Sequence, residues 1–420
     1  MRTRSLLAGP LLALAAGACT PSGGPEAADV PAIRDVLVLG TDAGSVTVDT
    51  SLGSPLRGPS GAVATFDGSF LFSTEGAGGS TTLTSVDPMT GGSLATRSLP
   101  GDLDVRVASV SGEVVALMAP LRDGEDAWTP SPRASTRVVV ADPWSDDLRR
   151  YRLNGNYEPE AFSEDDTRLF MIQYLPAEAP VVYRVTVLDL ATGEVSNVFG
   201  RFKTPPERMP GTRLSQVYDP VRAQLYTLYS NEPSSYLGSN YANTMPGEST
   251  TFVHVLSLRD GWAYCAGVPR SMWGAEARDQ AMAVSPDGRV LYIVDTGQGL
   301  VSSMDAKTFK TLSTGEIELG TSDGIRASAA VGGDGRILFV GSSQDGEGIY
   351  AIDATTFGLL ERWPTAGAVG ALGLSADGAR LYAVVGEEIT AIDATSGAAL
   401  GSFPVAGVES ILDIQSPAPY

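Results

Sequence analysis

Residues 374–400 read LSADGARLYAVVGEEITAIDATSGAAL. A serine and an Asp-Gly pair precede an alternating run, in which Leu381, Ala383 and Val385 take one side of an extended strand and Tyr382 and Val384 the other. A short polar turn at Gly386–Glu388 leads into a second strand that ends on Asp393, and a third turn, ATSG, leads into another. The unit is a small meander of strands whose turns are set by Asp, Ser, Thr and Gly, residues that bond their own backbone or tolerate positive φ.

The same unit recurs upstream. Residues 281–313 read AMAVSPDGRVLYIVDTGQGLVSSMDAKTFKTLS, and residues 327–360 read ASAAVGGDGRILFVGSSQDGEGIYAIDATTFGLL. Each has a small-residue strand, an Asp-Gly turn, a strand opening R-x-L-Y/F, a third strand ending in Asp, and a turn into a fourth. The terminal aspartate can be followed through the chain at Asp49, Asp87, Asp142, Asp189, a degenerate Ser257-Leu258 position, Asp305, Asp353 and Asp393. Matching first hairpins stand at 65–72, 162–170 and 217–226. Four short strands per unit of roughly 40–45 residues is the spacing of a propeller blade. An aspartate repeated at every strand end reads as an Asx turn, not as a row of metal sites, so no metal or other cofactor is assigned.

The two ends of the chain complement each other. Residues 36–56 supply the second, third and fourth strands of a blade and lack a first; residues 410–417, SILDIQSP, supply a lone strand. Together they make one composite blade and close a ring without an open edge. The expected fold is therefore all-β, a propeller of four-stranded antiparallel blades. The count is eight, with seven as the alternative if one central unit is an elaboration.

On the motif SPDGRVLYIVDTGQGLVSSMDA and its two echoes, residues 280–405 resemble the YVTN-type β-propeller repeat proteins, which share their shape with WD40 and NHL propellers. Residues 100–270 match that pattern poorly, Val-Asp-Thr stands where the family often has Val-Thr-Asn, and the unit near 252–260 lacks its aspartate. The resemblance implies a fold and carries no catalytic residues. Propellers of similar shape include lactonases and the propeller subunits of quinoprotein amine dehydrogenases, which sets an enzyme as the alternative to a binding protein.

Composition narrows the function. The chain has 420 residues, 49 Asp and Glu against 29 Lys and Arg, and only three lysines. A net charge of −20 without a basic stripe along the sequence argues against nucleic acid as a partner. The N-terminus MRTRSLLAGPLLALAAGAC has Arg2 and Arg4, an apolar run over 6–16, then small residues up to Cys19, the three parts of a secretory signal. Ala-Gly-Ala-Cys resembles the lipobox of bacterial lipoproteins, with Ala16 where Leu is usual. That resemblance implies cleavage before Cys19, a lipid on its sulfur, and anchoring to the bacterial cell membrane on its extracytoplasmic side. Residues 1–18 are then signal peptide, 19–32 a Pro/Gly/Ala tether, and 33–420 one propeller domain. Loss of Arg2 and Arg4 leaves 27 basic against 49 acidic residues, a net charge near −22. Cys265 is left without an internal disulfide partner and reads as a small buried hydrophobe.

Within each blade the first-to-second and third-to-fourth turns lie on one face of the ring, here termed the turn face. The second-to-third loops and the links between blades lie on the other, the loop face. The turns are uniformly short. The loop-face segments are long in one sector, at 119–135, 202–212, 230–249 and 267–280, with a shorter loop at 175–180. They carry Trp128, Arg133, Arg208, Tyr236, Tyr241, Arg270 and Trp273 to the loop face of blades three to five, a composition suited to binding a protein or a small molecule. Catalytic patterns are lacking. His254, the only histidine, sits in the alternating run TFVHVLSL and reads as a satisfied strand residue, and no G-x-S-x-G elbow surrounds a serine.

Overall fold

The computed structural model describes residues 35–41, 44–51, 54–55, 62–122, 131–202, 209, 211–230, 251–273, 279–319, 327–342 and 347–416. Their strands form eight antiparallel sheets, one per blade. The chain is an eight-bladed β-propeller.

Blade 1 is the composite. Strand Val36–Thr41 pairs with Gly44–Asp49 on one side and with the C-terminal strand Val408–Gln415 on the other, so the last strand becomes the innermost one. Blades 2 to 8 follow in chain order, each starting from its inner strand: Val63–Ala64, Asp104–Ala108, Asn156–Phe162, Thr212–Asp219, Gln280–Val284, Ser328–Val331 and Val369–Leu374. Blade 5 has a fifth strand, Phe199–Gly200, laid parallel on its outer strand Trp262–Gly267.

The ring is locked where its ends meet. The Asp35 carboxylate is buried and accepts from Arg380 Nε (2.6 Å) and Nη2 (3.0 Å), Tyr382 Oη (2.7 Å) and Ser416 Oγ (2.8 Å). One side chain thus joins blade 8, blade 1 and the residue after the closing strand.

The repeated aspartates close turns. Asp305, Asp353 and Asp393 each accept the backbone N–H groups two and three residues on, plus the hydroxyl at the third, all at 2.7–3.1 Å. Asp49, Asp87, Asp142 and Asp189 make the same kind of turn. In the degenerate unit Ser257 Oγ accepts the N–H of Asp260 at 3.1 Å, doing the aspartate's work with a hydroxyl.

The cores lie between blades. Blades 6 and 7 pack through Val294, Val301, Leu338, Val340 and Phe357, and blades 7 and 8 through Phe339, Trp363, Leu381, Ala383 and Ile392. At both interfaces one large residue fills the same outer position, supplied from opposite sides. Phe357, at φ 60°, lies where a Cβ on Gly315 would come within 2.7 Å of its ring. One blade on, Gly397 (φ 69°) takes the position of Phe357, and a Cβ there would come within 2.3 Å of the Trp363 indole.

Candidate functional site

The inner strands of blades 6, 7 and 8 read QAMAV, SAAV and VGALGL and carry no charge. Those of blades 3, 4 and 5 read DVRVA, NYEPEAF and TRLSQVYD. Charged side chains on an inner strand are costly to bury unless paired, and here Glu158 and Glu160 pair with arginines across blade boundaries.

Arg133, at the end of the blade 3 loop, turns inward toward blade 4. Its Nε donates to Asn156 Oδ1 at 2.8 Å, and its Nη2 donates to the Tyr157 carbonyl at 2.8 Å and forms an ion pair with Glu158, which is buried. Asn156 Nδ2 donates to the carbonyls of Ser131 (3.1 Å) and Ala177 (3.4 Å), and the Arg133 N–H donates to Ala177 (3.1 Å). The inner end of the blade 3 loop and the 175–180 loop of blade 4 therefore meet at one point on the loop face.

Two residues along the same strand, Glu160 accepts from Arg213 Nη1 (3.1 Å) and Gln216 Nε2 (2.7 Å), both of blade 5. Arg213 Nη2 donates to Gln216 Oε1 at 2.6 Å. Burial pushes the Arg213 guanidinium down from its ordinary value, while Glu160 opposes that shift by favouring the charged form. Behind the pair stand Tyr174, Tyr183 and Tyr229, Tyr183 stacked on Tyr229 with ring centroids 5.1 Å apart; burial holds all three phenols well above their usual range. A cavity of about 140 Å³ opens against this wall, lined by Phe66, Arg106, Val107, Glu158, Glu160 and Arg213 among others. Arg106 Nη2 donates to the Ala119 carbonyl at 2.6 Å.

Of the expected loop-face residues, Arg133 thus belongs to the channel wall. Arg270 and Trp273 form a second, separate group on the link between blades 5 and 6: the Arg270 guanidinium lies 5.3 Å from the Trp273 ring centroid, and Trp273 Nε1 donates to the Val268 carbonyl at 3.1 Å. Cys19, Trp128, Arg208, Tyr236 and Tyr241 lie outside the described residues. His254 is buried between the paired residues Thr227 and Cys265, edge-on to Tyr229, and desolvation lowers its pKa to about 4. Cys265 is half-buried and donates to Met209 Sδ at 3.6 Å. Among the described residues no group of three or more His, Cys, Asp and Glu side chains could hold a metal ion.

Glu158, Glu160, Arg213, Gln216 and Arg106 were not singled out in the sequence. The available signal was charge on inner strands whose counterparts in blades 6–8 are uncharged.

No family model and no curated protein matches this sequence. Solved propellers match its fold. The dihydro-heme d1 dehydrogenase NirN, in complex with DHE, superposes with a TM-score of 0.52 at 15% identity, covering 94% of this chain and 77% of that one. The Dos1 propeller gives 0.51 at 13% identity over 91% and 92% of the two chains. AztD of Citrobacter koseri gives 0.50 at 12% over 92% and 99%. At these identities the likeness is one of fold alone.

Proposed function

We propose that this protein is a YVTN-type propeller lipoprotein, anchored through Cys19 on the extracytoplasmic side of a bacterial membrane. In this reading it binds a protein or small-molecule partner on the loop face of blades three to five. The supporting observation is the asymmetry of the channel wall. Charged residues enter the inner strands of blades 3–5, the blades whose loops are long in the sequence, and the inner strands of blades 6–8 have none. Preorganised arginines and carboxylates of this kind orient a bound ligand, while long loops supply contact area.

The loop test exploits a register. Ser230 and Thr251 are directly paired, so residues 231–250 can be replaced by Asn-Gly, a two-residue turn that fits such a hairpin. That variant should keep its thermal midpoint and lose partner recovery from envelope extracts; equal recovery would remove the loop from the binding face. Separately, Cys19→Ser should move the protein from the membrane to the soluble fraction, and unchanged fractionation would end the anchor reading.

A second reading, a propeller enzyme with its site at the channel mouth, draws on Glu158 and Glu160 standing on one cavity wall. Turnover of a lactone panel that is abolished by Glu160→Gln would favour it.

A further inference from the structure

The outer strand of blade 3, Leu148–Asn154, reads LRRYRLN, three arginines within one strand of a chain whose net charge is −20. Its register with Ser135–Ala141 sets Arg137 opposite Arg152 and Val139 opposite Arg150. Residues opposite each other, and those two apart, share a face. Val139 packs toward blade 2, so Arg137, Arg150 and Arg152 all point to the blade 2 side, while Val138 and Leu153 pack toward blade 4. Arg97 of blade 2 enters the same gap, donating through Nη1 to the carbonyls of Asp142 (2.5 Å) and Asp147 (2.8 Å).

Arg137, Arg150 and Arg152 are exposed. Among the described residues they form no ion pair or side-chain hydrogen bond; Arg149, on the other face, pairs with Asp147 at 3.0 Å. Like charges placed directly across a strand pair cost stability, and each guanidinium presents a planar fork matched to a carboxylate.

The strand is also an open edge. Among the described residues Leu148–Asn154 pairs only with Ser135–Ala141, so no described strand pairs with its outward N–H and C=O groups. Blade 5 shows that an edge of this ring accepts a fifth strand, since Phe199–Gly200 lies parallel on Trp262–Gly267. On the blade 4 side of the blade 3 edge lies a groove of about 410 Å³, bounded by Arg149, Tyr151 and the turn Leu190–Gly193. Tyr151 Oη donates to the Leu190 carbonyl at 2.6 Å and fixes that wall.

We propose that the outer edge of blade 3 docks an extended acidic segment of a partner protein, added as a fifth strand. Carboxylates two positions apart in the segment meet Arg150 and Arg152, with Arg137 one strand further in, beside Arg152. The side chains between them turn toward the Tyr151 groove. Backbone pairing supplies affinity and the arginine row supplies register and selection. This surface is on the rim and independent of the loop face.

The test is fluorescence anisotropy of the purified full-length protein with a labelled eight-residue peptide of alternating Glu and Val. Binding should weaken with salt and fall at least tenfold in Arg150→Glu/Arg152→Glu. It should also fall at least tenfold for the same peptide N-methylated on alternate amides, which keeps the charge and blocks strand pairing. The substituted arginines are exposed, so an unchanged thermal midpoint reports folding, and Arg150→Gln/Arg152→Gln should give an intermediate loss. Equal affinity for both peptides would overturn strand addition. Unchanged affinity in the charge-reversed variant would overturn the site. Arginine-dependent capture by phosphatidylglycerol vesicles without peptide binding would reassign it to lipid.

Discussion

Asp393 Oδ1 takes three hydrogen bonds from a single turn, and the equivalent carboxyls of Asp189, Asp305 and Asp353 are treated alike; these bonds hold all four below the usual carboxylate range. Groups with depressed pKa contribute stability above their unfolded value, near 4, and lose it as pH falls further. Two other residues titrate between pH 4 and 6.5 with opposite sign. His254 is kept neutral by burial, with its pKa near 4, so stability falls as pH drops from about 6.5, where the unfolded imidazole gains its proton. Asp413, raised to about 6 by desolvation with Asp67 adding to the effect, destabilises the fold increasingly as pH rises from about 4 through 6. The two contributions, each on the order of 2–3 kcal/mol from shifts of about two units, offset one another in that window. Burial also raises Asp166, Asp219 and Asp295 in the same sense as Asp413, so thermal midpoints of the native protein should not fall as pH drops from 8 to 4. Asp413→Asn should raise the midpoint at pH 7–8, leave it unchanged at pH 4 and so tilt the profile toward acid loss. His254→Gln should make stability rise toward acid. Parallel pH profiles for all three proteins would contradict this assignment.

Blade interfaces offer a test at the scale of elements. Phe357 over Gly315 and Trp363 over Gly397 are two solutions to one packing problem. Gly397→Phe alone forces a ring into the indole at positive φ and should cost on the order of 3 kcal/mol. Trp363→Gly alone opens a cavity and should cost about 3–5 kcal/mol. The double variant copies the interface of blades 6 and 7, so denaturant unfolding should show a favourable coupling of about 1–3 kcal/mol; simple additivity would show that the two interfaces are not interchangeable. Blade identity was legible in the sequence because turn chemistry is local: the Asp-Gly and Asp-Thr turns report positive φ and Asx bonds within five residues. Which partner fills the interface was not legible, because Gly397 and Trp363 sit in different blades.

For the whole molecule, closure is the governing contact. Asp35→Ala leaves Arg380 and Tyr382 facing a void at the ring seam. Because Arg380 keeps some exposure, the expected cost is nearer 3 than 5 kcal/mol. Truncation after residue 405 removes the inner strand of blade 1 altogether and should broaden the unfolding transition, since an open array frays from its ends while a closed ring has none. A truncated protein with the full protein's midpoint and cooperativity would show that closure contributes little.

The repeat and the composite blade follow from the sequence by itself, because each rests on short-range turn residues and on strand periodicity that repeats visibly along the chain; the choice of eight blades over seven came from the eight sheets of the ring. Strand order led to the expectation that the long loops share one sector. Tertiary structure alone decided how the inner-strand charges of blades 3–5 are paired. Glu158 and Glu160 are two residues apart on one strand, yet they pair with Arg133 and Arg213, 25 residues back and 53 residues ahead in neighbouring blades. Likewise Arg137 and Arg152 become neighbours only through a strand register. A side chain's alternation can be read along a strand; its counter-ion, which determines whether that charge is structural or available to a partner, is brought to it by the ring.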